Sequence, residues 1–297
     1  MLGSSGQVGR ELRRALAPLG RVMPCTRSEA DLEQPHTLRE IIAKTRPTVI
    51  VNAVAYTAVD KAETEQERAY CVNAEAVSIL ANEALAREAL LIHYSTDYVF
   101  DGSKSGFYQE SDATNPLSVY GKTKLAGELA IQSSGCRYLI FRTSWVFCNH
   151  GNNFARTILR LASERQQLSV VADQIGAPTS AELIADVTAW CLARIPPKLP
   201  DATKLSGIYN LAASGEVSWY EFAEFLVAGA IERSVPLKLA PHSIKAISTA
   251  EYPTAARRPA NSRLDTTRLR EVFAVELPHW QYHANRFLDE YARSSKT

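Results

Sequence analysis

The stretch Gly3-Ser4-Ser5-Gly6-Gln7-Val8-Gly9 decides the fold, and the helix-forming run Arg10-Glu11-Leu12-Arg13-Arg14-Ala15-Leu16 follows it at once. Glycines at three-residue spacing allow a tight turn, a close backbone approach to a pyrophosphate and close helix packing. The start of the next helix offers N–H groups and a positive dipole end to phosphates. Such spacing also occurs in ordinary turns, so the loop predicts a dinucleotide site only together with its surroundings.

Strand-like and helix-like segments alternate after this loop. Runs of β-branched and aromatic residues predict strands at 21–26, 48–52, 90–95 and 137–146. Apolar residues at spacings of three and four predict helices at 7–19, 35–44, 65–88 and 118–132. This order predicts an α/β fold, a Rossmann-type doubly wound parallel sheet with right-handed crossovers. Later segments are helices 153–164, 181–195 and 218–233 and one from Pro278, strands 168–172 and 207–212, and a surface loop at 196–200.

Composition narrows the class of protein. The 297 residues carry 33 basic and 32 acidic side chains, a net charge of +1, which gives no case for nucleic acid or anionic membranes as partners. No apolar run approaches the roughly 18 residues of a membrane span, so we expect a cytoplasmic protein. The five cysteines are far apart and form no Cys-x-x-Cys, which predicts reduced thiols.

The first strand is short. Only Met1 and Leu2 precede Gly3, yet the strand before the glycine loop is central in a doubly wound sheet. Its loss would leave two neighbours without a hydrogen-bonding partner. We therefore expect the true start to lie upstream of Met1; the alternative is that the amino end of the fold is compromised.

Polar residues after the second predicted strand bear on cofactor choice. An acid at this position would bind a ribose 2′-hydroxyl and select NAD, whereas Arg27 beside Thr26 would accommodate a 2′-phosphate. NADPH is therefore the expected cofactor, with NADH possible; the alternative is that Arg27 is a solvated turn residue. Asp31 and Leu32 follow where a loop could meet the adenine, and 52–57 ends the third strand at its carboxyl edge.

The pair Tyr120 and Lys124 predicts acid–base chemistry. Residues four apart share a helix face, so the Lys124 ammonium could lower the pKa of Tyr120 and make it a general acid. Thr96, at the end of the fourth strand, would offer a hydroxyl to the same carbonyl and so complete a donor pair around a developing alkoxide. The three residues occur in the right chain order.

These motifs resemble the extended short-chain dehydrogenase/reductase superfamily and, within it, the dTDP-4-dehydrorhamnose reductase family. The resemblance runs nearly end to end, through residues 6–12, 59–63, 94–102, 116–128, 142–147, 151–154, 173–179 and 257–266. It implies a Rossmann domain of residues 1–147 plus roughly 179–214. It also implies a smaller C-terminal substrate-binding domain of roughly 148–178 plus 215–297.

The resemblance implies that NADPH reduces the C4 keto group of dTDP-4-dehydro-L-rhamnose to give dTDP-L-rhamnose, a precursor of cell-surface polysaccharide. Tyr120 would protonate the alkoxide, Lys124 would hold the nicotinamide ribose, and Thr96 would bind the reacting oxygen. Thr96, Asp97 and Trp145 would meet the sugar, although Trp145 could equally be a core aromatic. The cofactor would contact Gly3, Gly6, Gln7, Val8, Thr26, Arg27, Asp31, Leu32, Ala55, Tyr56, Thr57, Tyr120 and Lys124. Asn153, Gln174 and Asn261 lie in segments that resemble the family's nucleotide-sugar clamp.

Some relatives bind magnesium through carboxylates at a dimer interface. Glu11, Glu182 and Glu290 match those positions approximately, which makes Mg²⁺ and a homodimer possible; the alternative is that they are solvated helix residues. His279 and His283 are four apart, but no third ligand accompanies them, so a zinc site is not expected.

Two other functions stay open. A non-catalytic NADP-binding regulatory subunit, similar to the methionine adenosyltransferase β subunit, would not need Thr96, Tyr120 and Lys124 together. A reductase or epimerase of another nucleotide-linked keto-sugar would share these residues and differ only in the sugar pocket.

Overall fold

A parallel sheet of four strands forms the centre of the protein, in a computed structural model that describes residues 1–195 and 205–295. The strand order is β1 (Val49–Asn52), β2 (Leu90–Thr96), β3 (Arg137–Thr143), β8 (Gly207–Asn210). All seven residues of β2 are buried. Leu90 and Ile92 pack into one core and Leu91 into the other, so the sheet is covered on both faces.

Helices pack on both faces of the sheet and continue through the second half of the chain. They are α1 (Gln7–Leu16), α2 (Pro35–Thr45), α3 (Val59–Ala62), α4 (Gln66–Tyr70), α5 (Ala76–Ala86), α6 (Val119–Ser134), α7 (Phe154–Glu164), α8 (Ala181–Arg194), α9 (Trp219–Glu232), α10 (Thr267–Phe273) and α11 (Trp280–Ser294). Helices α1 and α8 pack together in the core that holds Ile92, whereas α2, α5 and α6 contribute to the core that holds Leu91. The predicted α/β doubly wound class is confirmed.

Three short strand pairs shape the second half of the chain. β4 (Val146–Phe147) pairs with β7 (Thr179–Ser180), β5 (Leu168–Val171) with β10 (Ile244–Ile247), and β6 (Ile175–Gly176) with β9 (Val217–Ser218). The predicted domain boundaries stay a prediction, and the loop predicted at 196–200 lies outside the described residues.

Two predicted elements are interrupted. The helix expected over 65–88 contains a π-helical turn at Cys71–Glu75 between α4 and α5. The strand expected over 137–146 ends at Thr143, because Trp145 has a φ of +51°, which extended backbone does not allow.

Leu2 occupies the place of the strand predicted before the glycine loop. Leu2 N–H donates to the Val51 carbonyl at 2.8 Å, and Leu2 forms isolated bridges to Cys25 and Asn52. The strand predicted over 21–26 is wrong except for Cys25, which forms a bridge to Leu2. A groove of about 400 Å³ lies there, lined on its two sides by 19–25 and 45–51.

The five cysteines are free thiols, as predicted. Among the residues that the structure describes, no helix has the length and apolar character needed to cross a bilayer. The expected cytoplasmic location stays a prediction.

Four apolar, β-branched residues added before Met1 are expected to enter the groove as a strand and raise the melting temperature by at least about 5 °C. Each buried aliphatic side chain contributes about 1.5–3 kcal/mol, and a protein of this size gains about 2–4 °C per kcal/mol. Calorimetry of both chains measures this. A Gly-Ser extension of equal length is the control, and equal melting temperatures for all three chains would contradict the expectation.

Candidate active site

The glycine loop makes a close backbone approach that only glycine allows. Gly3 has a φ of +75°, and a Cβ there would lie 2.9 Å from the Ala53 carbonyl group. A Cβ on Gly9 would overlap the Gly3 carbonyl oxygen. The loop therefore lies against the end of β1, and α1 begins directly behind it.

The start of α1 faces a cleft. Gly6 is its N-cap and offers no side chain, so the first N–H groups of the helix are available to a ligand. The adjacent cleft has a volume of about 440 Å³. Eight of the predicted cofactor residues line it: Gly3, Gly6, Arg27, Asp31, Leu32, Ala55, Tyr56 and Thr57. The structure thus brings together residues from three separate parts of the sequence.

Three predicted cofactor residues make other contacts in this structure. The Gln7 side-chain oxygen accepts from the Asn153 amide at 2.9 Å, which ties the loop to the start of α7. Val8 packs against the core. The Thr26 backbone N–H donates to the Glu29 carboxylate at 2.8 Å. Their contact with a cofactor stays a prediction.

Arg27 lies at the outer end of the cleft in a network of opposite charges. It pairs with Asp31 at 3.4 Å and with Glu33 at 2.7 Å, and the same Glu33 oxygen accepts from Arg68 at 3.0 Å. Sequence reasoning missed Glu33 and Arg68. Glu33 and Arg68 lie beside Arg27 only because of tertiary contact, although Arg68 is in the first turn of the helix predicted over 65–88 and lines the cleft.

Helix α6 is positioned by its first turn. The Ser118 hydroxyl caps the helix by accepting from the Gly121 N–H at 3.2 Å. Gly121 has no Cβ, so the helix contacts the Tyr98 carbonyl directly. This contact brings Tyr120 to the end of β2.

Thr96 and Tyr120 lie together at that strand end, and their role in a reaction stays a prediction. Both are buried, and the Thr96 hydroxyl lies close enough to the Tyr120 hydroxyl to act on the Tyr120 pKa. The Tyr98 ring lies edge-on to Tyr120, with 5.4 Å between the ring centroids. The predicted lowering of the Tyr120 pKa is wrong for this structure: burial raises its pKa above the usual range, and the Asp97 charge adds to this.

The Lys124 side chain is turned inward, which explains why it does not lower the Tyr120 pKa. Its Nζ donates to the Tyr94 carbonyl at 2.7 Å and lies 3.1 Å from His93 Nε2. Only 1% of Lys124 is exposed, and burial lowers its pKa to about 8, against the raising effect of Glu128. Sequence reasoning missed His93, although a histidine inside an apolar strand is a signal that could have found it.

Asp97 lies beside the donor pair. Its Oδ1 accepts from the Thr96 hydroxyl at 2.9 Å, and its buried Oδ2 has no hydrogen-bond partner among the described residues. Burial raises the Asp97 pKa to about 6, so the carboxylate is mostly ionised at neutral pH. The Asp97 carboxylate, which accepts hydrogen bonds from hydroxyl groups, is thereby held next to the Thr96 and Tyr120 hydroxyls.

The other predicted substrate residues take part in packing and loop contacts. Trp145 stacks on Trp219 at 3.4 Å between ring centroids. The Gln174 amide donates to the Thr249 hydroxyl at 3.1 Å, and the Asn261 amide donates to the Lys104 and Gly106 carbonyls at 2.7 Å. A contact between any of them and a substrate stays a prediction.

The magnesium prediction has no support. Glu11 pairs with Arg14 at 3.1 Å and Glu182 with Arg286 at 2.7 Å, while Glu290 accepts from the Asn149 amide at 2.7 Å. The residues described here contain no group of three or more His, Cys, Asp or Glu side chains that could hold a metal ion. The three glutamates are surface residues with their own partners, and the homodimer stays a prediction.

A doubly wound sheet, a glycine loop at a helix start and a Thr–Tyr–Lys set at the strand edge define a dinucleotide-dependent reductase of the short-chain type. The family model described as the RmlD substrate binding domain matches residues 1–293. The chain is 48% identical over 294 residues to dTDP-4-dehydrorhamnose reductase of Escherichia coli K12, covering 98% of this chain and 96% of that protein. It is 49% identical over 282 residues to the protein of the same name from Burkholderia thailandensis, with 94% of each covered.

A solved structure has the same fold. The dTDP-4-dehydrorhamnose reductase of Bacillus anthracis, in complex with NADP, superimposes with a TM-score of 0.88 at 32% identity and covers 97% of both chains. The chain therefore belongs to the RmlD family, the family of the dTDP-4-dehydrorhamnose reductases. The family predicted from the sequence is confirmed.

The substitution Gly9→Ala is expected to weaken dinucleotide binding at least about tenfold and to lower the melting temperature, because the new methyl group displaces the Gly3 carbonyl. Overpacking of this kind costs about 1–3 kcal/mol. Titration of intrinsic fluorescence with NADPH and calorimetry measure the two effects. Gly106→Ala is the matched control, since a methyl group there meets no described atom within 4 Å; equal behaviour of the two variants would contradict the expectation.

Proposed function

We propose that this protein reduces the C4 keto group of dTDP-4-dehydro-L-rhamnose with NADPH and forms dTDP-L-rhamnose. The observation that carries the proposal is the pair of buried Thr96 and Tyr120 hydroxyl groups that lie together at the strand edge. Membership of the RmlD family supports the choice of substrate, because two relatives that are 48% and 49% identical to this chain are named dTDP-4-dehydrorhamnose reductase.

The glycine loop and its cleft fit a nicotinamide dinucleotide. The close approach at Gly3 and the uncapped start of α1 leave room and N–H donors for a pyrophosphate. Asp31, Leu32 and Tyr56 would line the adenine side, and Arg27 and Arg68 would face a 2′-phosphate. When bound, the cofactor supplies the hydride. NADPH is the proposed donor and NADH an alternative one.

Tyr120 is the proposed proton donor. Burial keeps its phenol protonated, so it can hydrogen-bond to the carbonyl oxygen and give up its proton as negative charge develops there. The Thr96 hydroxyl is a second donor to the same oxygen, and the Asp97 carboxylate orients it by accepting its hydrogen bond in the ground state. Lys124 would bind the nicotinamide ribose.

Asp97 and Trp145 are the proposed sugar contacts. Asp97 can accept from a sugar hydroxyl, and the Trp145–Trp219 stack offers an aromatic surface to an apolar face of a sugar ring. Tyr98 follows Asp97 where related dehydratases carry a glutamate that acts in water loss. This difference favours reduction without elimination.

Tyr120→Phe is expected to lower kcat at least about 100-fold with unchanged affinity for NADPH, because the variant lacks the proton and keeps the ring. The loss of reduced-nicotinamide absorbance with freshly generated dTDP-4-dehydro-L-rhamnose measures kcat. Tyr282→Phe is the control, since Tyr282 is 58% exposed. Near-normal reduction by Tyr120→Phe would contradict the assignment. No turnover by the wild type, with NADPH bound, would favour a regulatory subunit or another keto-sugar.

Arg27→Ala is expected to lower kcat/KM for NADPH at least about tenfold and to leave NADH within about twofold, because hydrogen bonds to a charged phosphate contribute about 1.5–3 kcal/mol. Initial rates with both cofactors measure the ratio. Arg160→Ala, which removes an exposed arginine paired with Glu164 on α7, is the control. An unchanged ratio would contradict the proposed 2′-phosphate contact.

A further inference from the structure

His93 is a buried histidine that the proposed mechanism does not use. It lies in the middle of β2, is fully buried, and contacts one polar side chain through each ring nitrogen. Its Nδ1 is 3.1 Å from Asn52 Nδ2, and its Nε2 is 3.1 Å from Lys124 Nζ. The three side chains form a hydrogen-bonded chain from the end of β1 to α6.

The direction of these hydrogen bonds follows from the asparagine. Asn52 Oδ1 accepts from the Val54 backbone N–H at 3.1 Å, so the amide nitrogen of Asn52 is the atom that faces His93. An amide nitrogen can only donate, and His93 Nδ1 must therefore accept. Burial lowers the His93 pKa well below its usual value, so the ring is neutral and carries its proton on Nε2.

The same logic extends to the lysine. With its proton on Nε2, His93 donates to Lys124 Nζ, and a nitrogen that accepts a hydrogen bond must have a lone pair. A neutral amine has one, and it still donates to the Tyr94 carbonyl at 2.7 Å. An ammonium group would leave two N–H groups facing each other in a site without solvent, which is costly.

We propose that His93 is a positioning residue, which together with Asn52 holds Lys124 turned inward and favours the neutral amine form of Lys124 in the free protein. The proposal rests on the proposed function, in which Lys124 leaves this position to bind the nicotinamide ribose. Cofactor binding then requires Lys124 to exchange His93 for ribose hydroxyls and, where the amine is neutral, to take up a proton.

Other charges near Lys124 do not replace His93 in this role. Tyr120 and Glu128 lie on the same helix as Lys124, one turn before and one turn after it. Glu128 favours the ammonium form, but its carboxylate is already paired with Arg142 of β3 at 2.6 Å. Asp97 acts on Tyr120.

The sign of the pH dependence follows from these states. Burial lowers the pKa of Lys124 in the free protein to about 8, and a bound ribose would restore it toward its usual range. Below pH 8 the lysine is charged in both states, so affinity for NADPH does not change with pH. Above pH 8 Lys124 must take up a proton from solvent when the cofactor binds, so the affinity for NADPH falls about tenfold per pH unit.

The histidine tautomer gives a test that needs no cofactor. Nitrogen-15 NMR of the free protein at pH 9 is expected to show His93 with its proton on Nε2, with the signal assigned by its loss in His93→Gln. Asn52→Asp replaces the donor by an acceptor of the same shape and keeps the acceptor for Val54. In that variant the proton is expected on Nδ1. A proton on Nδ1 in the wild type would overturn the proposal.

The second test is the affinity for NADPH between pH 7 and 9.5, measured by fluorescence titration without substrate. We expect about a 30-fold loss for the wild type and less than about threefold for Asn52→Asp, in which the lysine pKa rises. Asn285→Asp on α11, which keeps the oxygen that accepts from Arg233, is the control and is expected to follow the wild type. Equal pH profiles for the wild type and Asn52→Asp would overturn the proposal.

His93→Gln keeps the test open if Asn52→Asp fails to fold. Its side-chain oxygen can accept from a Lys124 ammonium, so the loss of affinity at high pH is again expected to disappear. A pH-dependent loss identical to that of the wild type would overturn the proposal. If none of the folded proteins binds NADPH at pH 7, the proposed function has failed, which is a different result from NADPH binding that does not vary with pH.

Discussion

Backbone hydrogen bonds of Leu2 hold the glycine loop in its place, and the cofactor cleft depends on them. Leu2 N–H donates to the Val51 carbonyl at 2.8 Å, and the Leu2 carbonyl accepts from the Ala53 N–H at 3.2 Å. These bonds press Gly3 against Ala53, and the positive φ of Gly3 then turns the chain into α1. The helix start therefore lies at the same sheet edge as Thr96.

Burial of the strand ends gives the site its electrostatic character. A parallel sheet covered on both faces excludes water, and the loss of hydration disfavours the charged form of every titratable group at its edge. The pKa of Asp97 rises to about 6, that of Lys124 falls to about 8, and that of Tyr120 rises. The same packing that stabilises the fold thus keeps a proton on the phenol.

Helix α6 connects the sheet to the chemistry through one face. Tyr120, Lys124 and Glu128 lie on successive turns, and each contacts a different polar residue: Thr96, His93 and Arg142 respectively. The Glu128–Arg142 pair is almost completely buried, so removing either partner would leave an uncompensated charge. This pair fixes the position of the helix along the sheet, and with it the place of Tyr120.

The sequence by itself determined the features that depend on local spacing. The glycine loop, the strands β1 and β2, and the set of Thr96, Tyr120 and Lys124 follow from periodicity, turn chemistry and family resemblance, because each signal lies within one short segment. The fold class follows from their order along the chain.

Only the tertiary structure decided how these segments use their side chains. The inward turn of Lys124 toward His93, the sharing of Glu33 by Arg27 and Arg68, and the pairing of β5 with β10 join residues far apart in sequence. Such contacts are set by packing and by the need of each buried polar group for a partner, and neither is readable from one segment alone.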